Sequence, residues 1–211
     1  METLLLSEVS VEAAARSAAA VMRAGGVILY PTDTLYGLGA DALSDEAVVK
    51  VYAIKERDEW KPIHCIILDL EMAERYAEVN ESARKLAKKF LPGPLTLVLR
   101  KRTEFSTGIF RGNETVGIRI PNDEFCLALA RVLGKPYTTT SANPSGKETG
   151  RDVQTITGQL GSMAASLDLI VDAGRLPLRK PSTVVDLTGK EPSIIREGAI
   201  SAREIMRILG L

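Results

Sequence analysis

Four stretches of the sequence carry side chains able to grip an anion or a small polar molecule. Lys55, Arg57 and Lys61 place three cations within one short segment where a helix ends. Arginine grips phosphate oxygens in a planar fork, and lysine adds a mobile point charge. The same cations also fit a solvated helix terminus favoured by the dipole. Thr138-Thr139-Thr140-Ser141-Ala142-Asn143-Pro144-Ser145-Gly146 strings hydroxyls and an amide behind a strand, a pattern shared by ligand loops and Ser/Thr-rich turns. Pro31-Thr32-Asp33-Thr34-Leu35-Tyr36-Gly37-Leu38-Gly39 follows another strand, and its glycines allow close backbone approach. Pro181-Ser182-Thr183 and Arg196-Glu197-Gly198 flank two further apolar runs and are weaker signals alone.

The missing motifs narrow the chemistry. There is no Walker A loop, and Gly37-Leu38-Gly39 lacks the third glycine of a dinucleotide fingerprint. A single histidine, His64, leaves little room for a Ser-His-Asp triad, and one His with two distant cysteines is a poor zinc set. Cys65 and Cys126 lie in apolar segments and read as two reduced, buried thiols. Metal-ligating residues are therefore expected to be none.

The elements that must position these residues come from one ordinary globular chain. Its 211 residues suit a single domain spanning 1–211, with 45% hydrophobic and 26% charged residues. Lys plus Arg count 27 and Asp plus Glu count 27, which argues against coating nucleic acid by bulk charge. No secretory pattern opens the chain and no apolar run approaches the ~20 residues of a membrane span, so a cytoplasmic protein with no membrane contact is expected. Helices are predicted over Val11–Ala24, over 44–56 with Ser44 as N-cap, over Ser82–Phe90, over 122–134 capped by Asn122 and closed by Gly134, and after Ser201, where Ser201 and Glu204 form a capping box. Strands are predicted at 27–30, His64–Leu68, 95–100, 115–120, in Tyr137-Thr138-Thr139-Thr140, at 167–173, at 183–187 and in Ser193-Ile194-Ile195-Arg196. Several strands follow one another too closely for helical crossovers. The fold class is thus α/β, a twisted mixed parallel/antiparallel sheet flanked by helices.

Taken in order, PTDTLYGL, K-x-R-x-x-x-K-P, PGPLT, GIRIP, TSAN-x-SG, PSTVVD and IIREG resemble the YrdC-like domain family from about Gly25 to Ile200. The chain is most similar to its threonylcarbamoyl-AMP synthase branch, whose K-x-R and S-x-N signatures stand here as Lys55, Arg57, Ser141 and Asn143. The resemblance implies a nucleotidyltransferase, taking L-threonine, bicarbonate and ATP with Mg²⁺ to threonylcarbamoyl-AMP and pyrophosphate. The product would feed threonylcarbamoyladenosine formation in tRNA through a downstream threonylcarbamoyl transferase complex, with weak tRNA contact left open.

The same resemblance distributes roles among the residues. Lys55, Arg57, Ser141 and Asn143 would be catalytic. Lys55, Arg57 and Lys61 would hold the triphosphate and the departing pyrophosphate. Ser141 and Thr149 would contact phosphate or ribose, Asn143 would shape that loop, and Thr115 and Arg196 would line the ATP side. Arg119 would face threonine's carboxylate, with Ser182, Thr139 and a PTDT threonine, Thr34 before Thr32, completing the amino-acid pocket. Some relatives have a neutral residue in place of Lys61. Several place a histidine two positions after His64, where this chain has Ile66, so no catalytic role falls to His64.

Two rivals stand beside this reading. A double-stranded RNA or tRNA-binding module is opposed by zero net charge and by only 5% aromatic residues for base stacking. A YciO-like paralogue acting on another substrate is opposed by the Ser141-Ala142-Asn143 element.

Overall fold

A computed structural model describes residues 2–58 and 61–211; Glu59 and Trp60 of the cationic segment lie outside the described residues. Ten strands form one sheet: β1 (Glu2–Leu5), β2 (Ile28–Tyr30), β3 (Gly37–Gly39), β4 (His64–Ile66), β5 (Leu95–Arg100), β6 (Thr115–Arg119), β7 (Tyr137–Ser141), β8 (Leu169–Asp172), β9 (Thr183–Asp186) and β10 (Ser193–Arg196). Their spatial order is β1-β8-β2-β3-β7-β4-β6-β5-β9-β10. The pairs β1–β8, β2–β8, β4–β6 and β5–β9 are parallel, while β2–β3, β3–β7, β4–β7, β5–β6 and β9–β10 are antiparallel. The predicted mixed sheet is the sheet observed.

Seven helices pack on it: α1 (Val11–Arg23), α2 (Asp45–Ile54), α3 (Leu70–Tyr76), α4 (Glu81–Phe90), α5 (Glu124–Leu133), α6 (Val153–Leu160) and α7 (Ala202–Leu209). Ser44 caps α2, Gly134 closes α5 with φ 74°, and the Ser201–Glu204 capping box opens α7, all as the sequence predicts. The cap of α5 is a correction. Asp123, not Asn122, accepts the first-turn amide of Cys126 at 2.9 Å, and the Asn122 amide is committed to Asp33 instead. The segment around Gly37 is also more than a loop, since Gly37-Leu38-Gly39 forms β3 in the middle of the sheet.

The two faces of the sheet are covered unequally, and this makes the site. One face carries Leu95, Leu97, Leu99, Val116, Ile118, Cys65 and Val185 into a large core shared with α2, α4, α6 and α7. The other face carries Tyr30, Ile66, Tyr137, Leu169 and Val171 into a second core under α1 and α5. Strand side chains alternate, so His64 and Thr139 share the face of Ile66 and Tyr137 one step along their strands. On β6 and β5, Gly117, Arg119 and Thr96 fall on that same face. The α1–α5 pair stops short of these positions, and a cleft opens there.

The glycines of β3 serve packing under this layer. A Cβ on Gly39 would stand 2.7 Å from Tyr30 Cε1 and 2.9 Å from Met22 Cε, inside the α1–α5 core. Gly39→Ala is expected to cost about 1–3 kcal/mol by overpacking. Thermal melting of the variant should fall by roughly 2–10 °C for a chain of this size. An unchanged melting temperature would show that the strand can yield.

Candidate active site

The cleft encloses about 510 Å³ and is lined by Arg57, Arg119, Arg179, Arg196, Lys147 and one carboxylate, Glu148, together with hydroxyls from three strand ends. It lies at the C-terminal ends of β6 and β7 and beside the turn that follows α2. That turn is unusual. Glu56 has φ 48°, the left-handed region that disfavours a side chain, and the Arg57 amide reaches back to the Tyr52 carbonyl at 3.0 Å. This is a Schellman-type ending made without glycine, and it aims two successive cations differently. Lys55 turns inward, and Arg57 faces the cleft.

Lys55 is 2% exposed. Its ammonium donates to the Ser141 carbonyl, to the Asn143 carbonyl at 2.9 Å and to Asn143 Oδ1 at 3.3 Å. The Lys55 carbonyl in turn accepts the Ser145 amide at 2.9 Å. Burial, aided by the Arg57 charge, pulls its pKa down to about 8, so it still carries its proton at neutral pH. Lys55 is expected from the sequence at the triphosphate; here its side chain is absent from the described cleft lining, and its ammonium is bonded to the Ser141–Ser145 loop.

Asn143 completes the loop. Its amide nitrogen donates to the carbonyls of Pro144 at 3.0 Å and Lys147 at 2.5 Å, and its Oδ1 accepts Thr149 Oγ1 at 3.2 Å. Ser141, Asn143 and Thr149 all line the cleft. Arg57 lines it too, steadied by Nε on the Lys61 carbonyl at 3.3 Å and Nη2 on the Pro62 carbonyl at 3.1 Å. Lys61 itself contributes that carbonyl, and its side chain stands outside the lining. Thr115 also lies outside it. It shares a face with Arg119 but begins the strand, about 13 Å away at 3.3 Å per residue.

At the other wall, Arg119 is 5% exposed. Its guanidinium donates to Thr34 Oγ1 at 3.0 Å and to Asp33 Oδ1, whose other oxygen accepts the Asn122 amide at 3.1 Å. Thr32 Oγ1 lies 3.1 Å from Thr34 Oγ1 and accepts the Thr34 amide at 3.1 Å, so both PTDT threonines belong to one small network. Arg119 Nε is buried and has no partner. Arg196 donates to the Ser182 carbonyl at 2.9 Å and to Ser182 Oγ at 3.1 Å, and that hydroxyl is 2.9 Å from Thr96 Oγ1. Thr139 stands opposite His64 in the register.

Sequence reasoning assigned no role to several lining residues, among them Thr96, Lys147, Glu148, Leu178, Arg179 and His64. Lys147, Leu178 and Arg179 have no motif to mark them, and Arg179 reaches the Asp33 carbonyl at 2.7 Å from the 173–181 segment. His64 faces the cleft as well. Burial first, then Arg196, Arg57 and Arg119, lower its pKa to about 4, so the imidazole is neutral at physiological pH. Arg196 is likewise shifted down by burial and by Arg119. Burial is the larger cause of both shifts, and neighbouring guanidinium groups add to it.

Comparison with known proteins accords with this geometry. The family profile of the Sua5/YciO/YrdC domain, described as telomere recombination, matches residues 20–198. The chain belongs to this family. A Methanocaldococcus jannaschii protein is 39% identical over 183 residues, 87% of this chain and 84% of its own length. Pyrococcus abyssi threonylcarbamoyl-AMP synthase is 36% identical over 196 residues, 92% of this chain, and the match spans 57% of that longer protein. The crystal structure of P. abyssi Sua5 complexed with L-threonine superposes with a TM-score of 0.89 at 35% identity, over 99% of this chain and 60% of that one. Escherichia coli YciO follows at a TM-score of 0.80 and 30% identity, over 92% of this chain and 93% of its own.

The cage around Lys55 generates a test. Lys55→Met would strip the Asn143 carbonyl of its ammonium donor and leave the Ser141 carbonyl with the Asn143 amide alone, at a cost of about 2–4 kcal/mol. Activity and melting temperature should therefore fall together. A lost activity with an unchanged melting temperature would instead make Lys55 a ligand of the substrate.

Proposed function

We propose that the chain forms threonylcarbamoyl-AMP and pyrophosphate from L-threonine, bicarbonate and ATP. The observation that carries this reading is one cleft joining a hydroxyl-lined pocket around Arg119 to a set of phosphate-binding cations. It is supported by the close superposition on a relative crystallised with L-threonine. Threonine's nitrogen forms a carbamate, and a carbamate oxygen attacks the α-phosphorus in line, releasing pyrophosphate. Such a reaction needs positioning and charge stabilisation more than a protein nucleophile.

On this reading Arg119 binds the threonine carboxylate, with Thr34, Thr32, Thr139 and Ser182 around its small side chain. Arg57 and Arg196 hold the polyphosphate, Ser141 and Thr149 present the loop that meets phosphate or ribose, and Lys55 and Asn143 hold that loop in place. Thr115 would meet the far end of the nucleotide, and Lys61 would act from the rim. Mg²⁺ fits as the ion carried by the triphosphate, since among the described residues no cluster of three His, Cys, Asp or Glu side chains could hold it. We place the protein in the cytoplasm; among the described residues no helix is long and apolar enough to cross a membrane.

Pyrophosphate release from ATP is expected to require both L-threonine and bicarbonate. Serine should be poorer by roughly 10-fold or more, the usual worth of one missing methyl group. Arg119→Ala should raise the threonine KM far more than the ATP KM. Release at equal rates without threonine would sink the reading, and a selective rise in the ATP KM would reverse the division of the cleft.

The product is an activated mixed anhydride that a second enzyme can use without more ATP. We therefore place the transfer step in a partner transferase. Incubation of this protein with all small substrates and unmodified tRNA, followed by nucleoside digestion, should yield no threonylcarbamoyladenosine. Efficient modification by the chain alone would overturn that assignment.

A further inference from the structure

His64 is the one histidine of the chain, and the roles assigned above give it no task. It lies at the start of β4 with its ring against β6, so close that a Cβ on Gly117 would come within 2.3 Å of Cδ2. That contact fixes the imidazole over the cleft, beside the pocket that Arg119 and Thr139 share. The charged groups facing it are Arg57 from the turn after α2, Arg119 from β6 and Arg196 from β10. Lys147, Arg179 and Glu148 complete the rim, and Asp33 is committed to Arg119 and the Asn122 amide.

The proposed reaction needs a proton acceptor at this place. An α-amino group is largely protonated at neutral pH and cannot attack carbon in that form. Burial and three neighbouring guanidinium groups oppose a further positive charge on the imidazole and make it a poor acceptor by itself. A triphosphate and a carboxylate seated on those same groups would offset the charge part of this opposition.

We propose that His64 is the proton acceptor for the ammonium group of the amino-acid substrate, and that anionic substrates on Arg57, Arg119 and Arg196 switch it from inert to active. This rests on the reading of the cleft as an ATP and amino-acid site. The ammonium N–H bond breaks with its electron pair left on nitrogen, and the proton passes to the imidazole. The free amine then attacks the bicarbonate carbon to form the N–C bond, and the hydroxyl group leaves as water with the second amine proton. The imidazolium returns its proton to solvent as the products depart. A base that exists only when both anions are bound would avoid idle carbamate formation in an ATP-free cleft.

Because the chain has a single histidine, its Cε1–H resonance can be followed by proton NMR without assignment. The full-length protein is titrated alone and with inorganic tripolyphosphate plus L-threonine. The midpoint should lie near 4 alone, the value its surroundings impose. With both ligands it should rise by roughly 1.5 pH units or more, toward the ordinary imidazole range. His64→Gln should lower kcat roughly 10²-fold or more and remove the acidic limb of the pH–rate profile. Its ATP KM and melting temperature should stay close to the parent values. A midpoint unmoved by both ligands overturns the inference, as does a His64→Gln variant that keeps its kcat within about twofold. If wild-type protein releases no pyrophosphate with threonine, the functional reading fails. The titration still decides whether anions on the three arginines control the imidazole.

Discussion

A buried ammonium holds this site together. Lys55 is taken out of water at the end of α2, a transfer that costs several kcal/mol, and the carbonyls of Ser141 and Asn143 with Asn143 Oδ1 offset it. The bonds run in both directions, since the Ser145 amide returns to the Lys55 carbonyl. The helix end and the loop after β7 are thereby joined across a sequence gap of more than eighty residues. Arg57 owes its direction to the same turn, and Ser141 and Thr149 owe theirs to the same loop. Removing the cation would release both walls of the nucleotide side at once.

The opposite wall uses a different device. Arg119 sits under the PTDT loop with Asp33 and Thr34 fixing its guanidinium, and the Asn122 amide fixes Asp33 in turn. The pair keeps a buried arginine from being an isolated charge while leaving part of it for a ligand. The Asn122 amide serves the site, and Asp123 caps α5.

Much of this was legible in the chain. The S-x-x-E box at Ser201, the Ser44 cap and Gly134 are local signals, and local chemistry decides them. The segments that meet at the cleft were also recognisable, because short runs of hydroxyls and cations after strands stand out by residue type. What could not be read was direction. Lys55 and Arg57 are two residues apart, and only the left-handed turn at Glu56 sends one into the interior and the other into the cleft. Gly37 and Gly39 looked like a ligand loop, whereas Tyr30 packing over them makes a central strand. His64 was set aside on a motif position, yet the alternation along β4 and the missing Cβ at Gly117 turn it to the cleft. Each miss comes from a contact between residues far apart in sequence.

The cleft holds its charges at a cost. Among the described residues five cationic side chains face a single carboxylate in the lining, Arg196 and His64 are both shifted toward their neutral forms, and Arg119 Nε is buried without a partner. A buried donor left unpaired costs about 1–3 kcal/mol, and that cost ends when a ligand oxygen reaches it. The fold bears this expense through its two packed cores, and ligand binding recovers it. Binding energy is then drawn from the relief of a strained charge distribution as well as from new contacts, with little further ordering of the protein.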